Sequence, residues 1–338
     1  MGEKEKVKFA VVGVGKIGLR HAELITRNAE AELVACCDVK DSIDMEGTIP
    51  YFNTIDDLLK SDLDIDVINV CSPNGLHAEH CLKALNAEKH VVCEKPFALT
   101  KAECEKVLSK ALQVSKHVFG VMQNRYSPPS VWMKDLVERQ LLGDILMVQI
   151  SCFWNRDDNY YKKGDWKGTM ELDGGTLFTQ FSHFVDTMYW LFGDIKNIEA
   201  RFADFTHQHN TEFEDSGIVN FEFVEGKGMG SINYSTSVYE RNFESTMTVI
   251  GKNGSVKIAG QYMDEVAYCN IKDYEMPKLE STNPANDYGK YKGSAANHSY
   301  IIKNVIDTLK NKTTVSTNAL EGLKVVDIIE RIYSLRKQ

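Results

Sequence analysis

Over the first 125 residues, compact apolar runs alternate with segments whose apolar positions recur at helical spacing, the pattern of βαβ units around a parallel sheet. Residues 8–12, 32–37, 67–72, 90–93 and 117–122 read as strands. Helical patterns lie between them, at 17–28, at a start with Thr54 as N-cap and Asp57 three residues on, and at 77–86. Another begins at a capping box, Thr100 with Glu103, and runs towards Lys116. After Gln123 the pattern changes. A helix over 130–141 stops at Gly143, a long strand follows at 145–154, residues 155–172 are aromatic, charged and irregular, and 175–191 is helical. From about Ile198 strand follows strand, with hairpin signals at Glu225-Gly-Lys-Gly228 and Gly251-Lys-Asn-Gly254. Residues 296–309 and 318–335 return to helix. The pattern predicts an α/β chain: a Rossmann parallel sheet in 1–124, then an α+β domain with a large, mostly antiparallel open sheet in 125–338. The final helices are free to pack back on the first domain.

Composition narrows the classes. The chain has 338 residues, 43% hydrophobic and 26% charged, enough for two ordinary cores. A net charge of −9 argues against a nucleic-acid footprint, which needs a clustered basic face. No run of about 18 apolar residues is present and the N-terminus has no signal-peptide pattern, so a cytoplasmic protein without a membrane partner is expected. Cys36, Cys37, Cys71, Cys81, Cys93, Cys104, Cys152 and Cys269 show no C-x2-C spacing and read as reduced core residues; no metal site is expected.

Three blocks carry chemistry. Gly13-x-Gly15-x-x-Gly18 follows a predicted strand and opens a predicted helix, and Asp38 lies twenty residues beyond Gly18 at the end of the next strand. That context predicts a dinucleotide with its pyrophosphate on the helix N-terminus. A carboxylate at 38 accepts from the adenosine ribose hydroxyls and repels a 2′-phosphate, which favours NAD over NADP. Glu94-Lys95-Pro96 ends the fourth strand, where open α/β sheets place ligands; a lysine there can hydrogen-bond a sugar hydroxyl and relay its proton. Asp173-Gly-Gly175 precedes Thr179, His183 and Asp186, whose spacings of four and three put them on one helix face. An imidazole there suits base work on an alcohol.

In this order, GVGKIG, CSPNGLH at 71–77, EKP at 94–96 and GG-x7-H-x2-D resemble the Gfo/Idh/MocA family of sugar oxidoreductases. Gln123-Asn-Arg125, the aromatic stretch 153–161, Trp166-Lys-Gly168 and Ser182-His183-Phe-Val-Asp186 resemble its UDP-N-acetyl-2-amino-2-deoxyglucuronate dehydrogenases. The resemblance implies NAD-dependent oxidation of a sugar 3-hydroxyl to a ketone, in bacterial surface polysaccharide synthesis. It implies Lys95 and His183 as the catalytic pair, with His183 the base and Lys95 orienting the hydroxyl. It places cofactor contacts at Gly13, Gly15, Lys16, Ile17, Gly18, Asp38, Ser72, Asn74, His77, Glu94, Lys95, Gln123 and Trp166. Substrate contacts fall on Lys95, Asn124, Arg125, Arg156, Tyr160, Tyr161, Thr179, Gln180 and His183, with the two arginines candidates for a uronate carboxylate or a diphosphate. Thr179 departs from the Asp or Asn usual four residues before the histidine, and residues 41–51 are short for the family. Two other readings remain: a dehydrogenase of a free sugar or inositol, and a non-catalytic dinucleotide sensor, against which the retention of Lys95 and His183 speaks. A homodimer or homotetramer formed through the C-terminal sheet is expected, because that sheet must cover its outer face.

Overall fold

The computed structural model describes residues 6–40, 49–162, 164–287 and 292–336. The shortened segment at 41–51 falls mostly outside this set. The chain divides into two compact units, residues 1–121 with 298–326 and residues 122–297 with 327–338.

In the first unit, β1 (Val7–Val12), α1 (Lys16–Arg27), β2 (Ala31–Cys37), β3 (Tyr51–Phe52), α2 (Ile55–Lys60) and β4 (Val67–Val70) alternate. They are followed by α3 (His77–Asn86), β5 (His90–Cys93), α4 (Lys101–Gln113) and β6 (Val118–Gly120). The six strands form one parallel sheet in the order β3-β2-β1-β4-β5-β6. Every residue of β4 is buried, and β1 is nearly so, because helices cover both faces; hence the unbroken apolar runs in the sequence. Both capping predictions hold, with Thr54 accepting from Asp57 N–H and Thr100 forming a reciprocal box with Glu103.

The second unit begins with a 3-10 turn, Gln123–Tyr126, and then α5 (Pro128–Glu138), β7 (Ile145–Phe153), α6 (Thr176–Thr179) and α7 (Ser182–Phe192). The strands β8 (Ile195–Ala203), β9 (Ser216–Phe223), β10 (Met229–Ser235), β11 (Glu244–Gly251), β12 (Gly254–Ala259) and β13 (Glu265–Ile271) follow, then a small hairpin, β14 (Ala285–Asp287) and β15 (Lys292–Ala295). Seven strands form an open sheet in the order β13-β12-β11-β7-β10-β9-β8, antiparallel except where β7 lies parallel to β10. Along β9, Gly217, Val219, Phe221 and Phe223 are buried while Ile218, Asn220 and Glu222 are exposed, so one face carries the core and the other faces outward. Helix α8 (His298–Leu309) belongs to the first unit, and α9 (Ala319–Tyr333) starts in the first and ends in the second. Among the described residues no helix is long and apolar enough to cross a membrane.

One sequence expectation needs correction. Residues 175–191 form two helices, not one, so Thr179 is not on the helix that carries His183 and Asp186. Phe181 leaves the helical region at φ −119°, ψ 6°. Its ring packs on Trp154 and Tyr234, with centroids 5.3 and 5.7 Å away, and the preceding Gln180 amide is held by Arg156 and Tyr160. These tertiary partners outweigh the one or two backbone bonds that an unbroken helix would add.

Candidate active site

The glycine turn of the first unit has the geometry a pyrophosphate requires. Gly13 sits at φ +89°, where a Cβ would come within 2.5 Å of the Cys71–Ser72 peptide, and a Cβ on Gly18 would meet the Gly13 carbonyl. A Cβ on Gly15 would meet nothing within 4 Å, so space is left above the first turn of α1, where Lys16 is exposed and Ile17 half-buried. Asp38 closes the turn: its Oδ2 accepts Val14 N–H at 2.7 Å and its Oδ1 accepts Lys40 N–H at 3.1 Å. The residues present therefore fit a dinucleotide with an unphosphorylated ribose beside Asp38.

Beyond β4, Ser72 is half-buried and Asn74 lies in the 3-10 turn Asn74–Leu76. His77 is turned inward, with Nδ1 2.6 Å from the Pro96 carbonyl and Nε2 2.8 Å from the Ser72 carbonyl. Burial pushes its pKa down, although both carbonyls favour the protonated ring. His77 thus braces the turn after β5. Glu94 is buried and directed at His21, whereas Lys95 is half-buried.

The remaining candidates lie in the second unit. His183 is 2% exposed at the start of α7, and its Nε2 lies 3.1 Å from Gln123 Nε2. An amide nitrogen only donates, so this contact makes His183 Nε2 the acceptor and puts the ring proton on Nδ1. Gln123 also donates to Ser294 Oγ at 3.2 Å. Gln123 Oε1 and the neighbouring Asn124 Oδ1 are buried without a hydrogen-bond partner among the described residues, two acceptors for a ligand rich in hydroxyls.

Arg125 is 5% exposed and its Nε and Nη2 donate to Asp186 at 2.9 and 2.6 Å, with its guanidinium 5.3 Å from the Trp190 ring centroid. One of the two bidentate edges of the guanidinium, Nε with Nη2, is therefore taken by Asp186. Arg156 lies against the Trp154 and Tyr160 rings, donating to Gln180 Oε1 at 2.7 Å and to Asn242 Oδ1 at 3.2 Å; Gln180 in turn donates to Tyr160 Oη at 2.7 Å. Lys167 extends over the same Tyr160 ring, 4.5 Å from its centroid, and lies 5.8 Å from that of half-buried Trp166. Thr179 donates to Asp173, which also accepts Gly168 N–H at 2.8 Å. Tyr161 is a core ring, 2% exposed and packed edge-on against Tyr160, His207 and Phe213.

Asn242 was not foreseen: its partners Asn155 and Arg156 are distant in the chain and it sits in no motif. Asp173, read in the Asp173-Gly-Gly175 block, was not singled out as a site residue. A buried histidine behind them was also missed: His207 Nε2 lies 2.5 Å from the Arg156 carbonyl and its Nδ1 3.3 Å from Asp215. Burial acts to lower the His207 pKa, but Asp215 and that carbonyl outweigh it and the net shift is upward. The folded state thus holds the proton more tightly than the unfolded chain. The resulting stability is fully present below about pH 6.5, the ordinary imidazole value, and is lost as pH rises through the raised native one. We expect the melting temperature to fall by about 2–3 °C between pH 6 and 9, and His207→Gln to flatten that slope; an unchanged slope in the variant would refute the assignment.

Comparison with known proteins accords with this geometry. Residues 7–121 match the profile described as the oxidoreductase family with an NAD-binding Rossmann fold, and residues 131–257 match the GFO/IDH/MocA C-terminal domain. Inositol 2-dehydrogenase of Salmonella typhimurium is 28% identical over 205 residues; that match covers 58% of this chain and 58% of the relative's length. Among solved structures, the WlbA dehydrogenase of Chromobacterium violaceum, in complex with NADH and UDP-GlcNAcA, has a TM-score of 0.87 at 28% identity, covering 99% of this chain and 94% of that one. The WlbA dehydrogenase of Bordetella pertussis, with the same two ligands, has a TM-score of 0.85 at 27% identity, covering 98% and 96%. Taken with the glycine turn, Asp38 and the two-sheet architecture, these matches make the chain a member of the Gfo/Idh/MocA family of NAD-binding oxidoreductases.

Proposed function

We propose that the protein is a dehydrogenase that oxidises the 3-hydroxyl of a UDP-linked N-acetyl amino-uronic acid to a ketone, in the cytoplasm, as a step towards bacterial surface polysaccharide. The observation that carries this reading is the fit along nearly the whole chain to two structures that hold NADH and UDP-GlcNAcA. NAD, when bound, accepts hydride from C3. His183 takes the hydroxyl proton on Nε2, the atom that Gln123 marks as an acceptor, and Lys95 orients and polarises the same oxygen. The products are the 3-keto sugar, NADH and one proton. Gln123 Oε1 and Asn124 Oδ1 accept from sugar hydroxyls, and the cationic side chains Arg156 and Lys167 around Tyr160 meet the anionic part of the ligand.

A second reading, oxidation of inositol or a free sugar, is favoured by the inositol 2-dehydrogenase relatives. The two are separated by following NADH absorbance with UDP-GlcNAcA and with myo-inositol. We expect kcat/KM for the nucleotide sugar to exceed that for inositol by at least about 100-fold, on the order of 3 kcal/mol of differential binding, and Lys95→Met to abolish turnover. A higher rate with inositol would replace the first reading by the second.

We further propose that the subunits associate through the open sheet. Met147 pairs in register with Met229 on β10 and with Ile250 on β11, so three exposed apolar side chains form a row across adjacent strands. Ile218 and Tyr268 are also exposed on this sheet. Met147→Glu with Met229→Lys should reduce the mass measured by light scattering to that of a monomer. A wild-type monomer would sink the proposal.

A further inference from the structure

The buried charge nearest to Lys95 is not used in the chemistry above. Glu94, 5% exposed, lies immediately before the lysine, and its carboxylate is enclosed by side chains from widely separated parts of the chain. His21, from the buried stripe of α1, directs Nε2 at Glu94 Oε1 from 2.9 Å, and Asn69 of β4 holds the other ring nitrogen at 2.8 Å. His298, the first residue of α8 and 2% exposed, brings its Nε2 to 3.5 Å from the same Oε1. The second oxygen, Oε2, accepts the backbone N–H of Lys95 at 3.1 Å. Two residues on, His77 of α3 holds the Pro96 carbonyl at 2.6 Å. The peptide that carries the Lys95 side chain is therefore fixed on one side by Glu94 and on the other by His77.

Burying a carboxylate costs more than a neutral side chain of the same shape, and paired buried charges are weak contributors to stability. Burial acts to raise Glu94, but its two histidine partners outweigh that and hold the carboxyl well below the usual range, so it stays charged. His298 is pushed down by burial, and on its side a neutral ring faces the carboxylate. The amide of Asn69 makes His21 Nδ1 an acceptor, which leaves the His21 proton on Nε2, the atom aimed at Glu94. Donation thus runs from Asn69 to His21 to Glu94, and the backbone N–H of Lys95 donates into the same carboxylate from the other side.

We propose that the buried chain Asn69–His21–Glu94, closed by His298, is the device that positions Lys95 for its work on the substrate hydroxyl. The proposal rests on the reading of Lys95 given above. Glu94, His21 and His298 are positioning residues and touch no reacting atom. A displacement of the lysine of the order of 1 Å is enough for a loss of about 100-fold.

The test uses the full-length protein with NAD and UDP-GlcNAcA. It compares His21→Leu, which removes the donor to Glu94, with His21→Gln, whose amide can still donate, and with Glu94→Gln, whose amide nitrogen would oppose Lys95 N–H. Lys95→Met is measured in the same series, and NADH fluorescence and thermal melts report cofactor binding and folding. Expected are a fall in kcat of about 30-fold or more for His21→Leu and Glu94→Gln, and recovery to within about fivefold of wild type for His21→Gln. In the His21 and Glu94 variants, KM and the NADH Kd should stay within about threefold of wild type. If Lys95→Met is inactive while His21→Leu and Glu94→Gln turn over like wild type, the positioning proposal falls and the role of Lys95 stands. If Lys95→Met is itself active, the reading beneath it falls. Equal losses in His21→Leu and His21→Gln, tracking the melting temperature, would make the cluster structural only and overturn the proposal. Stoichiometric zinc in the purified protein would overturn it too, since His21 Nε2 would then be a ligand and not a donor.

Discussion

His183→Ala is expected to lower kcat by about 10³-fold while leaving the NADH Kd unchanged, the loss expected when a positioned general base is removed. The argument rests on which ring nitrogen is available. Gln123 Nε2, 3.1 Å away, can only donate, so His183 Nε2 carries the lone pair that a hydroxyl proton needs. Gln123 has a second acceptor in Ser294 Oγ at 3.2 Å and can keep that bond when the substrate oxygen displaces it from the imidazole. On the proposed reading, the site thus holds His183 in the tautomer that a base needs before substrate arrives. Two measurements distinguish this from a packing role. Added imidazole should restore part of the His183→Ala rate, because the truncated side chain leaves room for the missing base. Gln123→Leu should cost only about tenfold, since the ring remains but its tautomer is no longer fixed. Full activity in His183→Ala, or an imidazole-insensitive defect with weakened NADH binding, would remove His183 from the chemistry.

The frame of this site was legible because its determinants are local. The runs of β1, β4 and β5 are apolar throughout, since both faces of a parallel sheet are covered, and the glycine turn with Asp38 is specified within one βαβ unit. The hairpins between β9 and β10 and between β11 and β12 were marked by their own turn residues. Long-range partners were not legible. Helical periodicity runs through residues 175–191, but Arg156 and Tyr160 take hold of Gln180 and the chain breaks at Phe181. The parallel pairing of β7 with β10 joins strands separated by four other elements and has no local signal. For the Glu94 cluster one clue was present: in α1, His21 lies three residues beyond Gly18 and four before Ile25, a polar residue on the buried stripe. Arg125 shows the opposite limit, because side-chain chemistry alone gave no sign that Asp186 holds one edge of its guanidinium.

That commitment leads to the second large effect. Asp186→Ala should destabilise the protein by about 3–5 kcal/mol, because it strands the buried Arg125 guanidinium without its partner. For a unit of this size the melting temperature should drop by about 10 °C. The double variant Arg125→Met with Asp186→Leu should recover most of this, since an apolar pair of similar volume avoids burying two charges. Activity should respond differently. Arg125 belongs to the same 3-10 turn as Gln123, and Asp186 lies one turn beyond His183 on α7, so the ion pair fixes the turn to the helix where amide and imidazole meet. If that is its function, the double variant is stable but slow, with kcat reduced about tenfold and KM for UDP-GlcNAcA changed little. If Arg125 instead binds the substrate carboxylate, the same variant keeps kcat and raises KM by about 100-fold, the loss of a charge-assisted bidentate contact. The geometry favours the first outcome: Nε and Nη2, one of the two bidentate edges of the guanidinium, already lie 2.9 and 2.6 Å from Asp186.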